Sequence, residues 1–176
     1  EDALINLNYL GIDNVLVLRG DAAKNETAFL PEPGGHEYAS DLLQQVINLN
    51  AGKYLEEDLK NTSQTKFCIG VAGYPEKHFE APNMDSDLHY LKLKVDMGAD
   101  YIVTQMFYDN KFYFEFVDKC REAGIKVPII PGLKILTSKA QLHSIPKDFH
   151  VTIPSALADE IDNAKPDVVL NIGVEW

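Results

Sequence analysis

The sequence predicts an α/β protein built on parallel strands, a partial (β/α)8 TIM barrel with about four strands and their flanking helices. Three observations predict it. Short apolar runs alternate with helical patterns along the whole chain. Strands spaced by helices imply right-handed βαβ units and hence a parallel sheet. Each strand ends in polar or turn-forming groups: Arg19 and Asp21, then Tyr74 and Glu76, then Gln105, then Gly132. A small doubly wound sheet gathers its ligand groups at one switch point, whereas groups spread over every strand end suit a barrel rim.

The elements follow in order. Residues 1–11 read as a helix ending at Gly11, and Asn14-Val15-Leu16-Val17-Leu18 as a buried parallel strand. A long polar loop with Pro31, Pro33, Gly34 and Gly35 comes next. Residues 38–51 form an amphipathic helix, with Leu42, Leu43, Val46, Ile47 and Leu49 mostly on one side and Gly52 beyond its end. Phe67-Cys68-Ile69-Gly70-Val71-Ala72 is the second strand, and residues 84–97 a helix stopped by Gly98. Tyr101-Ile102-Val103-Thr104-Gln105 is the third strand, and residues 111–123 a helix stopped by Gly124. Val127-Pro128-Ile129-Ile130 is the fourth strand, closed by Pro131-Gly132. Helical patterns follow near 137–144, 154–163 and 166–176, with His150-Val151-Thr152-Ile153 strand-like until Pro154.

At 176 residues the chain suits a single domain with a substantial core, and 45% hydrophobic and 24% charged residues are ordinary for a globular protein. A net charge of -11 argues against a nucleic-acid partner, although a local cationic patch can still hold a small anion. Cys68 and Cys120 form no CxxC pair and lie in apolar stretches. They read as buried structural thiols in a reducing compartment, the cytoplasm, and not as a disulfide or zinc site. No apolar run is long enough to span a bilayer and no signal peptide is evident. Glu1 is no initiator methionine and the last residues carry no terminal signal, so the sequence reads as an excerpt.

Chemistry concentrates at the strand ends. In Leu18-Arg19-Gly20-Asp21 a cation and a carboxylate flank a glycine that permits a sharp turn or close approach to a ligand. In Tyr74-Pro75-Glu76-Lys77-His78-Phe79-Glu80 the rings and carboxylates can bind metal, do acid/base work, hold a planar ligand, or form a solvated loop. Asp87, Tyr90 and Lys94 recur at helical spacing, as a weak exposed ion pair or as a grip on ribose hydroxyls and phosphate. Gln105 either caps its strand or offers donor and acceptor to a heteroaromatic ligand. Pro131-Gly132-Leu133, ahead of a polar segment with Gln141, reads as a βα turn.

Leu18-Arg19-Gly20-Asp21, Tyr38-Ala39-Ser40-Asp41-Leu42, Tyr74-Pro75-Glu76-Lys77-His78, Asp96-Met97-Gly98-Ala99, Thr104-Gln105-Met106-Phe107-Tyr108-Asp109 and Ile130-Pro131-Gly132 together resemble methylenetetrahydrofolate reductase, in that family's order and spacing. Gly173-Val174-Glu175-Trp176 resembles a segment before its last barrel strand. The resemblance implies an FAD-dependent oxidoreductase of one-carbon and methionine metabolism. Such an enzyme passes a hydride from NADH or NADPH to the flavin and then to 5,10-methylenetetrahydrofolate, giving 5-methyltetrahydrofolate. It implies that residues 1–176 are one partial barrel domain spanning the fourth to seventh strand units.

By position, Asp21 and Gln105 match the catalytic aspartate and amide, both of which also contact substrate, and Gln141 a further substrate contact. Leu18, Arg19, Gly20, Asp21, Tyr38, Ala39, Tyr74, His78, Asp87, Tyr90 and Lys94 match FAD-holding positions. No metal is implied; the implied partners are folate and nicotinamide substrates, with neither nucleic acid nor membrane, in a homo-oligomer. The family's catalytic glutamate belongs to the first strand and its threonine and histidine to the next two, so the chain alone is expected to be inactive. Leu93 stands at a position basic in some relatives, and Ile145 at one that is aromatic and stacks on the nicotinamide in some. The alternative reading is a half-barrel that binds FAD or another nucleotide without chemistry, or that self-associates through its unpaired strand edges.

Overall fold

The computed structural model describes residues 1–22 and 29–176, so part of the loop before Pro31 lies outside the described residues. The elements are α1 (Asp2–Tyr9), β1 (Asn14–Val17), α2 (Ala39–Asn50), β2 (Cys68–Gly73), α3 (Met84–Met97), β3 (Tyr101–Met106), α4 (Asn110–Glu122), β4 (Ile129–Gly132), α5 (Gln141–Phe149), α6 (Ser155–Asn163) and α7 (Val169–Glu175). The strand–helix alternation read from the sequence is therefore present, with shifted boundaries.

Three of those shifts have identifiable causes. β4 starts two residues later than expected, at Ile129. Pro128 has no N–H to give a ladder, and the Val127 carbonyl is taken by Arg121 Nη1 at 3.0 Å. α5 begins at Gln141 because the N–H groups of Thr137 and Ser138 bond the Gln141 side chain before the helix proper starts. The strand expected over His150-Val151-Thr152-Ile153 does not form. His150 closes α5 in the left-handed region, φ 54°, and the Thr152 N–H turns to a side chain instead of a neighbouring strand.

The four strands form one sheet in the order β1-β2-β3-β4. β1 and β2 run parallel, with Asn14 opposite Cys68 and Val17 opposite Val71. A doubly wound sheet reverses its strand order at the switch point; a sequential order winds one way, as a barrel does. The chain is thus an α/β partial barrel, with four parallel strands flanked by seven helices among the described residues. β1 is less buried than its composition suggests. Only Val17 is buried, while Leu16, which points to the opposite face, is 42% exposed.

The chain divides into two compact units, residues 1–72 with 91–102, and residues 73–90 with 103–176. In the first, Leu43, Val46 and Leu49 of α2 are fully buried, as are Ile69 and Val71 of β2. Gly70 has no Cβ because the Tyr101 ring lies where one would stand, on its way to donate from its hydroxyl to the Val15 carbonyl at 3.3 Å. In the second, Met106, Leu136, Ile145, Val151, Leu157, Ile161, Val169 and Ile172 form one buried cluster. β3 and β4 meet tightly there: Gly132 N–H donates to Thr104 Oγ1 at 2.9 Å, and a Cβ at Gly132 would run into the Thr104 carbonyl. Among the described residues no helix is long and apolar enough to cross a membrane.

Candidate cofactor and substrate site

In the first unit the candidate groups lie at the carboxyl end of the β1–β2 pair. Val17 sits opposite Val71, so Arg19 follows two residues beyond that rung and Ala72 one residue beyond it. The Arg19 guanidinium stands 5.2 Å from the centroid of the Phe29 ring. The same ring comes within 3.1 Å of where a Cβ at Gly20 would be, and Gly20 is not left-handed. Its glycine thus makes room for an aromatic side chain and does not turn the chain sharply. Asp21 is exposed beside it.

Lys94 of α3 donates from Nζ to the Ala72 carbonyl at 3.3 Å, so its cation also reaches this strand end. Tyr38 precedes α2, and its N–H is capped by Asp41 Oδ2 at 2.9 Å while its ring remains mostly exposed; Ala39 opens the helix.

In the second unit β2 ends at Gly73 and runs into Tyr74. Tyr74, Pro75, Glu76 and Lys77 line a cleft with Gln105 and Met106 of β3 and with Phe149, His150 and Val151. The structure therefore brings Tyr74 and Gln105 together, as the strand-end reading requires. Gln105 Oε1 accepts the Met106 N–H at 2.9 Å, so its carbonyl caps the strand end and its amide nitrogen is the group it can offer a ligand. His78 packs edge-on against Tyr74, centroids 4.6 Å apart at 81°. The Asp87 carboxylate holds the His78 N–H at 2.8 Å, and the Glu80 N–H donates to His78 Nδ1 at 3.2 Å. An Nδ1 that accepts leaves the ring proton on Nε2, making that nitrogen a donor.

Asp87 and Lys94 each bond a backbone group, the His78 N–H and the Ala72 carbonyl respectively. Tyr90 is 62% exposed and edge-on to His89 at 5.5 Å. Gln141 Oε1 accepts from Thr137 N–H, Thr137 Oγ1 and Ser138 N–H at 2.6–3.1 Å, so a substrate contact from this residue falls to its amide nitrogen. The pattern Ser138-x-x-Gln141 is a capping-box signature and was the signal for this role. Ile145 is 2% exposed and belongs to the core cluster, so in this chain it offers no surface for stacking. Leu93 is exposed.

Phe149, His150 and Val151 enter the cleft from a segment the sequence marks only as strand-like, and no periodicity pointed to them. Glu76 is spent on the same segment, both its oxygens accepting the Thr152 N–H at 3.0 Å. The cysteines are unlike one another. Cys120 is fully buried, and burial, opposed by the Arg121 cation and helped by Asp87, pushes its thiol up to about 11. Cys68, expected to be buried, is only partly so at the β2 end of the first rung; burial and then Asp100 raise its thiol. Thiols held protonated are poor nucleophiles.

The family model for methylenetetrahydrofolate reductase matches residues 1–176. Methylenetetrahydrofolate reductase 2 of Saccharomyces cerevisiae is 40% identical over 177 residues, 98% of this chain and 27% of that protein. Methylenetetrahydrofolate reductase 1 of Schizosaccharomyces pombe is 38% identical over 165 residues, 94% of this chain and 25% of that protein. A probable methylenetetrahydrofolate reductase (NADH) of Oryza sativa is 42% identical over 142 residues, 76% of this chain and 22% of that protein. The chain thus spans about a quarter of the length of these relatives. With a match running from Glu1 to Trp176, the chain belongs to the methylenetetrahydrofolate reductase family.

Proposed function

We propose that this chain is the part of a methylenetetrahydrofolate reductase that holds FAD and meets both substrates, in a protein that reduces 5,10-methylenetetrahydrofolate to 5-methyltetrahydrofolate with NADH or NADPH. The observation that carries the reading is that Tyr74 and Gln105 stand side by side at the carboxyl ends of β2 and β3, across a narrow crevice. A ring and an amide at neighbouring strand ends suit a flat heteroaromatic ligand bearing donors and acceptors.

The residues present fit FAD. Its diphosphate needs cations, and in a chain of net charge -11 Arg19 and Lys94 both stand at the carboxyl end of the β1–β2 pair. Asp87 and His78, in the other unit, are by resemblance further cofactor contacts of the same family. FAD, when bound, would supply the relay of hydride from nicotinamide to folate. By resemblance, Asp21 supplies the carboxylate that stabilises a cationic iminium form of the folate, and Gln105 the amide that orients the substrate. The proton that opens the folate's imidazolidine ring comes, by resemblance, from a glutamate on a strand outside this chain. The isolated chain is accordingly a binder without turnover.

Two experiments test this. In the full-length protein, methylenetetrahydrofolate reoxidises photoreduced flavin, and Gln105→Ala slows that step by about 10²-fold. Absence of any folate-dependent reoxidation overturns the function. Titrating FAD into the isolated chain gives quenched flavin fluorescence with no hydride transfer; transfer without the missing strands overturns the assignment of the acid to them.

A further inference from the structure

The loop after β2 is pinned within itself and also tied outward. Lys77 has a left-handed backbone, φ 80°, a conformation unfavourable for a residue with a Cβ. Its Nζ stabilises the turn by donating to the carbonyls of His78 at 2.9 Å and Ala81 at 2.6 Å. Asp87 holds the His78 N–H. These bonds fix the loop's shape but do not fix its distance from the other wall of the cleft, the segment Phe149–Val151.

Two contacts cross to that wall. The Phe79 ring stacks on His150, centroids 4.6 Å apart at 23°. The Glu76 carboxylate accepts the Thr152 N–H through both oxygens at 3.0 Å. The donor is presented by the left-handed turn at His150, which ends α5 and leaves the Thr152 amide outside any ladder. A hydrogen bond of this length needs an acceptor lone pair aimed along the backbone N–H.

We infer that Glu76 is a positioning residue: by clasping the Thr152 amide it sets the width of the cleft and so holds Tyr74 and His78 where they meet the cofactor. The inference rests on the reading of Tyr74 and His78 as cofactor residues. A clasp on a neutral backbone donor needs a lone pair more than a charge, so Glu76→Gln, which keeps Oε1, preserves it and Glu76→Ala does not. A carboxylate acting directly on a ligand would behave oppositely, failing in both.

The test uses the full-length protein with Glu76→Ala and Glu76→Gln and two readouts. Without cofactor, short-time hydrogen exchange followed by mass spectrometry reports residues 74–81 and 149–153. Glu76→Ala is expected to speed exchange in both segments, and Glu76→Gln to leave both as in the wild type. With FAD, fluorescence titration is expected to show affinity reduced about tenfold by Glu76→Ala and changed less than about twofold by Glu76→Gln. Unchanged exchange or unchanged affinity in Glu76→Ala overturns the clasp, as does a Glu76→Gln protein as weak as Glu76→Ala. Wild-type protein that takes up no FAD overturns the functional reading instead, and the exchange data then judge the clasp by themselves.

Discussion

Asn50 uses both ends of its amide on the approach to β2. Its Oδ1 accepts from Thr65 Oγ1 at 2.7 Å and from the Phe67 N–H at 2.9 Å, while Nδ2 donates to the Phe67 carbonyl at 2.9 Å. Asn50→Ala removes three bonds and leaves the buried Thr65 hydroxyl seeking a partner. A loss of about 2–3 kcal/mol is expected, read as a lower urea midpoint at unchanged m-value. Cys120 makes a different prediction. Its thiol, pushed up to about 11 from 9.0, stays protonated in the folded protein after the unfolded chain has lost its proton. Folding then binds the extra proton, so stability is intact below pH 9.0 and falls as pH rises towards 11. Cys120→Ala should flatten that part of the urea-midpoint profile, and an unchanged slope would show that other groups set it. At this scale the sequence identifies chemistry but not partners. Glu76 was legible as a carboxylate at a strand end, yet its use depends on an amide 76 positions away.

Helices and strands were legible where periodicity and punctuation agreed. α2, α3 and α4 end before Gly52, Gly98 and Gly124, all left-handed, and the residue ranges read from the pattern hold to within a residue or so. They were not legible where a side chain captured the backbone, as at Gln141 and Thr152, because apolar alternation carries no record of such bonds. Two glycines separate the forces involved. Gly11 is left-handed, φ 76°, with nothing near a would-be Cβ, so Gly11→Ala tests conformation alone and should cost about 1 kcal/mol. Gly132 is not left-handed, but a Cβ there collides with the Thr104 backbone, which cannot move without parting β3 from β4. Gly132→Ala should cost more than about 3 kcal/mol or fail to fold. Equal thermal shifts for the two variants would deny that distinction.

For the molecule as a whole, the choice between barrel and doubly wound sheet rested in the sequence on polar groups at every strand end, and the sequential strand order agrees with it. Tyr74 and Gln105 share a cleft because both sit at strand ends, where position along the chain fixes position in space. Charge is the property of the whole chain that needs no fold to read. At pH 7 the net charge is -11, and the surface also carries exposed apolar side chains such as Tyr9, Leu10 and Leu133. Mutual repulsion therefore opposes apolar association at neutral pH and vanishes near the isoelectric point of about 4.8. Light scattering should rise sharply as pH is lowered towards that point. At neutral pH it should rise modestly with salt, since the screening length shrinks from about 10 Å at 0.1 M to about 3 Å at 1 M. Scattering that ignores both pH and salt would mean that specific contacts, and not net charge, govern how copies of this chain meet.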